Sequence, residues 1–309
     1  MPHRGAGVAP IFAAIEGGYY REQGLEPELL PYHGHSNSLK ALIAGEADFT
    51  NAVGVELLLA NTRHRGDAVI LASAISRSAQ QVAARPGIET REDLRGKRWG
   101  VGARNDADEC AIIMAFDRWG WSIDKDAEIV VVGTDGARLD LLLDPRHVDA
   151  AIMHAPETFQ APKRGYHVVE DFGRFDVSFQ NSCPASTRRF MKANLDIGLR
   201  YVRGFCQAVH RFRSDAQFGI HVLRKYSGET DIDVLRPTWV LFARYMGDMM
   251  YPSLEGVRNA SAILHRVGAL PRLVAPEDAV DLDPVITLER EGFFDTLMGA
   301  KNVHPQSAP

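Results

Sequence analysis

The chain has 309 residues, 45% of them hydrophobic and 24% charged, with a net charge of −5. That length supports two compact lobes with a real core. No basic block and no basic–aromatic stripe is present, which argues against nucleic acid as a partner, and no apolar run reaches membrane-spanning length. The three cysteines, Cys110, Cys183 and Cys206, are an odd and sparse set, which argues against a disulfide framework. Cys110 and Cys206 lie in apolar helical patterns and read as buried, inert thiols.

Residues 1–7 read as a loop, and no apolar stretch of signal-peptide length follows it. Residues 8–20 carry Ile11, Phe12 and Ile15 on one helical face, with Gly17 and Gly18 near the end. Residues 25–30 read as a short strand made irregular by Pro27. The stretch 34–54, GHSNSLKALIAGEADFTNAVG, reads as loop, helix, tight turn and strand, with Ser36 as N-cap and Gly45 just past the helix end. A short helix follows over 55–61, then a buried strand over 68–75 and a strand over 80–84 leading out of the first lobe.

From residue 87 strands and helices alternate with short loops: strands at 98–101, 129–132, 148–153 and 167–170, helices after 105 and 135 and over 157–164. This pattern predicts a parallel sheet with helices on both faces. Residues 179–184 read as the return to the first lobe. Beyond 187 the pattern turns helical, with Leu199, Val202, Phe205, Cys206 and Val209 in register over 195–213.

Four stretches carry a family resemblance: residues 34–54; APIFAAIEGGYYREQGLEPELLPY at 9–32; LRGKRWGVG at 94–102; and HVDAAIMHAPE at 147–157. Their order and spacing resemble the type-II periplasmic solute-binding proteins of ABC transporters, in the branch for nitrate, sulfonates, taurine and thiamine pyrimidine precursors. The resemblance implies two doubly wound α/β lobes joined by a hinge. Lobe 1 would comprise 1–86 and 184–309, with a helical C-terminal part packed on it, and lobe 2 would be 87–183. It also implies a short apolar strand ahead of the loop that corresponds to 1–7, a strand missing here. A truncated start would place the protein in the periplasm or on a lipid anchor; Met1 as the true start would place it in the cytoplasm.

In such sheets, loops at the carboxyl ends of the strands converge on the ligand. That places His3, Arg4, His35, Ser36, Asn51, Ser76, Arg77, Asn105, His154, Glu157 and Asn181 as candidate ligand-binding residues. Helix starts suit an anion, and Arg4, Arg77 or Arg104 could pair with it, although Asp106 and Asp108 would repel it. The expected role is capture of a small organic anion (sulfonate, carboxylate or pyrimidine-precursor-like) for an ABC permease, by a monomer with no cofactor, no nucleic acid and no membrane insertion. The rival is a cytosolic enzyme on the same fold, a lyase or hydrolase acting on a small aromatic or organic acid. It would use His33, His35 and Cys183, and the loop histidines His3, His33 and His35 could also meet a metal ion. The nucleophilic cysteine of aromatic sulfinate desulfinases in the early loops has no counterpart here.

Overall fold

The computed structural model describes residues 6–30, 32, 34–142, 144, 146–175 and 177–299. Among the described residues eight strands form two sheets: β1 (Thr50–Ala52), β2 (Ala68–Ile70), β3 (Gln81–Ala84), β4 (Lys97–Val101), β5 (Ala127–Val131), β6 (Ala150–Met153), β7 (His167–Asp171) and β8 (Cys183–Thr187). The first sheet runs β1-β8-β2 and the second β5-β4-β6-β3-β7. β4 is parallel to β5 and β6, as βα alternation requires. β8 is antiparallel to both its neighbours, and so is β3. These two are the strands that have just crossed from the other lobe, so each enters its sheet from the far end.

β3 therefore differs from the sequence reading, which assigns it to the first lobe. It is an inner strand of the second sheet, with all four residues buried. The crossing segments lie side by side: Arg77 bridges Ser178, the Phe179 amide donates to the Ser76 carbonyl, and the Asn181 amide donates to the Ile75 carbonyl.

The C-terminal helices supply most of the first lobe's core. Leu195–Ser214 turns Val202, Phe205, Cys206, Val209 and Phe212 inward, all at 0% exposure, against Phe12 and Ala13 of the helix Ala9–Glu16. Leu199, expected on that face, is only partly buried. In the second lobe Trp99, Phe116 and Ile112 pack between the sheet and the helix Ala107–Trp119. Polar ties join the lobes at their rims, including Arg266 to Asp117 at 2.8 Å and Lys163 to Asp231.

Two local readings change. Helix Gly34–Ala44 begins two residues before Ser36, so Ser36 lies inside the first turn and is exposed rather than capping. Residues 25–30 form no strand and pair with none of the described strands. Gly45 does end its helix in the left-handed conformation, at φ +79°.

Gly256 sets how closely the helix Leu254–Arg266 approaches the crossing segment. A Cβ there would lie 2.5 Å from the Gln180 nitrogen and 2.8 Å from the Phe179 carbonyl carbon. Neither is a side chain that can swing away. Gly256→Ala is expected to destabilise the fold by about 1–3 kcal/mol, the usual cost of overpacking. Gly136→Ala, with nothing within 4 Å of the new Cβ, is the control. Thermal denaturation of the two variants checks this; equal melting temperatures would overturn it.

Candidate functional site

The strand ends of the two lobes meet at the start of the helix Ala107–Trp119. A helix leaves its first amides without internal partners, and here protein carboxyls occupy three of them. Asp106, the N-cap, accepts from the Asp108 and Glu109 amides through Oδ1, both at 3.0 Å. Its Oδ2 takes the Ala103 amide at 2.6 Å. The Ala107 amide reaches across to the first lobe and donates to Glu56 Oε1 at 3.0 Å. Glu56 sits in the first turn of the helix Gly54–His64, directly after β1. Its Oε2 is buried with no hydrogen-bond partner among the described residues.

These acids are crowded in a dry place. Burial, with Asp106 nearby, pushes the Glu56 carboxyl up to about 8. Burial, with Asp108 nearby, pushes Asp106 up to about 7. Burial, with the charge of Asp135, likewise pushes Glu157 up to about 7. Three carboxyls therefore titrate near neutrality around one junction.

Beside them is a fully paired cluster. Arg138, 3% exposed, bonds Asp108 at 2.5 Å and Asp135 at 3.1 Å. His154 meets Asp135 Oδ1 through Nδ1 at 3.0 Å and Asp108 Oδ1 through Nε2 at 3.3 Å. Burial alone would lower the His154 pKa, but the two carboxylates outweigh it and push it up to about 9. His154 is thus an imidazolium at neutral pH. Burial opposes the charge of Asp135 as well, but His154 and Arg138 hold its carboxyl far below the usual range.

A model of the family described as NMT1/THI5 like matches residues 6–172, more than half of the chain. The chain belongs to the NMT1/THI5-like family. No curated protein sequence matches it. Among solved structures it resembles the alkanesulfonate-binding protein SsuA from Xanthomonas axonopodis pv. citri bound to MOPS, with TM-score 0.74 and 16% identity over 91% of this chain and 96% of that one. The periplasmic aliphatic sulphonate-binding protein SsuA from Escherichia coli gives TM-score 0.73 and 15% identity, over 91% and 90%. A mutant DszB in complex with biphenyl-2-sulfinic acid gives 0.67 and 14%, over 94% and 99%. At these identities the likeness shows the fold, which is that of the periplasmic binding proteins.

The structure brings only some of the expected site residues of this NMT1/THI5-like chain to the junction. His154 and Glu157 are there, and Asn105 borders it, at φ +61°, with its amide on Glu109 Oε2. Asn51, in β1, is buried and accepts from Ser182 Oγ at 3.2 Å. Asn181 gives its amide to the crossing contact described above. Ser76 and Arg77 are exposed; Arg77 lies over the Tyr245 ring at 5.7 Å. His35 bonds the Asn51 carbonyl through Nδ1 at 3.2 Å. Arg104 is paired with Glu109 at 2.8 Å. His3, Arg4 and His33 lie outside the described residues.

Cys183 is at 0% exposure inside β8, donates to the Ala52 carbonyl, and is pushed by burial far above an ordinary thiol. A group so disfavoured as a thiolate is no nucleophile. Among the described residues no three His, Cys, Asp or Glu side chains are arranged to hold a metal ion. Glu56 and Arg138 are missing from the sequence reading. Glu56 carried one signal, an acid in the first turn of a helix leaving a strand end, but acids are common there for dipole reasons alone.

Glu56 keeps its proton more tightly when folded, so it favours the folded state least at high pH. The destabilisation is absent below its unfolded pKa near 4.5 and grows as pH rises towards about 8. Glu56→Gln retains an acceptor for the Ala107 amide without that charge. Its melting temperature is expected to match the parent near pH 4.5 and exceed it by several degrees above about pH 8. A gap that does not widen with pH would refute this. His154 also loses stability with rising pH: its contribution is whole below about 6.5 and gone above about 9.

Proposed function

We propose that this chain is the solute-binding component of an ABC-type importer, capturing a small organic ligand where the two lobes meet and passing it to a membrane permease. Membership of the NMT1/THI5-like family and a fold shared with SsuA-type binding proteins support the role. In this reading the protein works as a monomer and outside the cytoplasm; the Escherichia coli sulphonate-binding neighbour is described as periplasmic.

The observation that carries the reading is the single bond from the Ala107 amide to Glu56 Oε1 across the junction. It joins a carboxyl of one lobe to a helix start of the other, and a ligand can take the place of either partner. Closure would then exclude water and strengthen each polar contact.

The charges select among ligand classes. A bare sulfonate or carboxylate would meet Asp106, Asp108, Glu109 and Asp135, while Arg138 and Arg104 are already paired. A pyrimidine-precursor-like ligand presents both donors and acceptors without a full negative charge. Such a ring matches carboxyls such as Glu56 and Asp106 that exchange their protons near neutrality. This reading therefore favours an amino-substituted heterocycle over the other two classes. The enzymatic rival has no assembled nucleophile among the described residues, with Cys183 buried and His35 bonded to a backbone carbonyl.

Proton NMR of the purified chain with an aminopyrimidine, taurine and benzoate tests both points. Line broadening of the aminopyrimidine alone, with its spectrum intact after a day, is the expected result. Glu56→Ala should weaken that binding by about tenfold or more, the scale of one lost hydrogen bond to a charged or polar partner. Selective broadening of taurine or benzoate would overturn the ligand class. Conversion of any compound to a product would overturn the importer role.

A further inference from the structure

Two buried polar atoms stand without partners at the closing face of the second lobe. Gln81 is 6% exposed and Thr158 1%, yet Gln81 Oε1 and Thr158 Oγ1 have no hydrogen-bond partner among the described residues. We propose that this pair is the second lobe's ligand subsite and that it takes an uncharged hydroxyl group of the bound solute. The inference rests on the solute-binding role proposed above and adds a group that the ligand must carry.

Strand register and helical spacing bring the pair together. Gln81 opens β3 and lies opposite Met153, the last residue of β6, so it stands at the carboxyl edge of the parallel strands. Side chains alternate along a strand, and directly opposed residues share a face. Gln81 therefore shares its face with Ala83 and Met153, which pack in one apolar cluster with Leu139 and Ala161. Thr158 lies in the short helix Glu157–Gln160, three residues before Ala161 of the turn that continues it. Residues three apart on a helical path share a face. This short helix also touches β3. Gln81 and Thr158 thus cap the same cluster from its cleft end.

The same short helix belongs to the closing surface. Phe159 packs on the first lobe's core, and Gln160 Nε2 donates to Glu229 of that lobe at 2.5 Å. Just beyond it, Lys163 pairs with Asp231. Thr158 directly follows Glu157, which already stands at the junction. Opening the lobes uncovers this corner, and closing them buries it around whatever is bound.

The chemistry of the two atoms selects the group. A buried hydrogen-bonding atom left unpaired costs free energy, so a ligand that pairs both is favoured by both. Gln81 offers a carbonyl oxygen, which only accepts; the Thr158 hydroxyl has a proton to give and lone pairs to fill. One hydroxyl on the ligand donates to the first and accepts from the second. A carboxylate or sulfonate only accepts and leaves Gln81 unpaired. An ammonium only donates and leaves the Thr158 proton unpaired. Both protein atoms are neutral, which suits an uncharged group in a dry corner.

Isothermal titration calorimetry of the full chain with matched pairs of compounds tests the subsite. The pairs are an aminopyrimidine bearing a hydroxymethyl or an ethyl group, hydroxyethanesulfonate or propanesulfonate, and a benzoate bearing a hydroxymethyl or an ethyl group. In the pair that binds, the hydroxyl member is expected to bind about tenfold or more tightly than its partner. Thr158→Val and Gln81→Met should each erase that preference, keep the affinity for the ethyl or propyl member, and leave the melting temperature unchanged. Thr158→Ser should retain the preference. A hydroxyl preference shown by the sulfonate or benzoate pair would uphold the subsite and overturn the ring class proposed above. Equal affinity within the pair that binds, or a preference that survives both substitutions, would overturn the subsite and leave the importer role standing. So would a fall in melting temperature with equal loss of affinity for both members, since the two residues would then be structural. Binding of none of these compounds would overturn the subsite together with the reading it rests on.

Discussion

Three amides at the start of the helix Ala107–Trp119 need acceptors, and the junction is organised by what they find. Two are taken by Asp106 on the same lobe and one by Glu56 on the other. A helix start attracts negative charge, so bringing acids there is favourable. Bringing several to one buried point is not. The conflict is resolved by protonation: Glu56 and Asp106 are pushed up to about 8 and about 7, so their charges are lost at little cost. The same crowding explains why His154 and Arg138 stay cationic, each clamped between two carboxylates.

The consequence for function is that the anion site foreseen at this helix start is already filled by the protein. A ligand that enters must displace Glu56 or accept its company. This is the ground on which we propose a neutral ring with donors and acceptors, rather than a sulfonate, as the ligand, even though the fold is shared with sulfonate-binding proteins. Similarity of backbone at 15–16% identity carries the two-lobe architecture, while the charges at the junction are this chain's own.

The two crossing strands tie this chemistry to the fold. They run beside one another with direct backbone bonds, so neither lobe can move without bending both. Their arrival from the opposite lobe makes β8 and β3 the antiparallel members of otherwise βα-type sheets.

Much of this was legible in the sequence. Periodicity alone placed the long helix Leu195–Ser214, its inward residues from Val202 to Val209, the turn at Gly45 and the alternation of the second lobe, because these are local patterns of burial and backbone freedom. It also pointed to His154 and Glu157, which the structure places at the junction of the lobes, since strand ends converge there. Tertiary structure decided the rest. Whether residues 25–30 form a strand depends on a neighbour, not on their own propensity. Whether β3 belongs to one lobe or the other depends on its pairing across 60 or more residues. The meeting of Glu56 with Ala107 joins positions 51 residues apart, and no local pattern marks it. Propensity and periodicity act over a few residues; the electrostatics of a site depend on which charges a closed fold brings within a few ångströms, and that is a property of the whole chain.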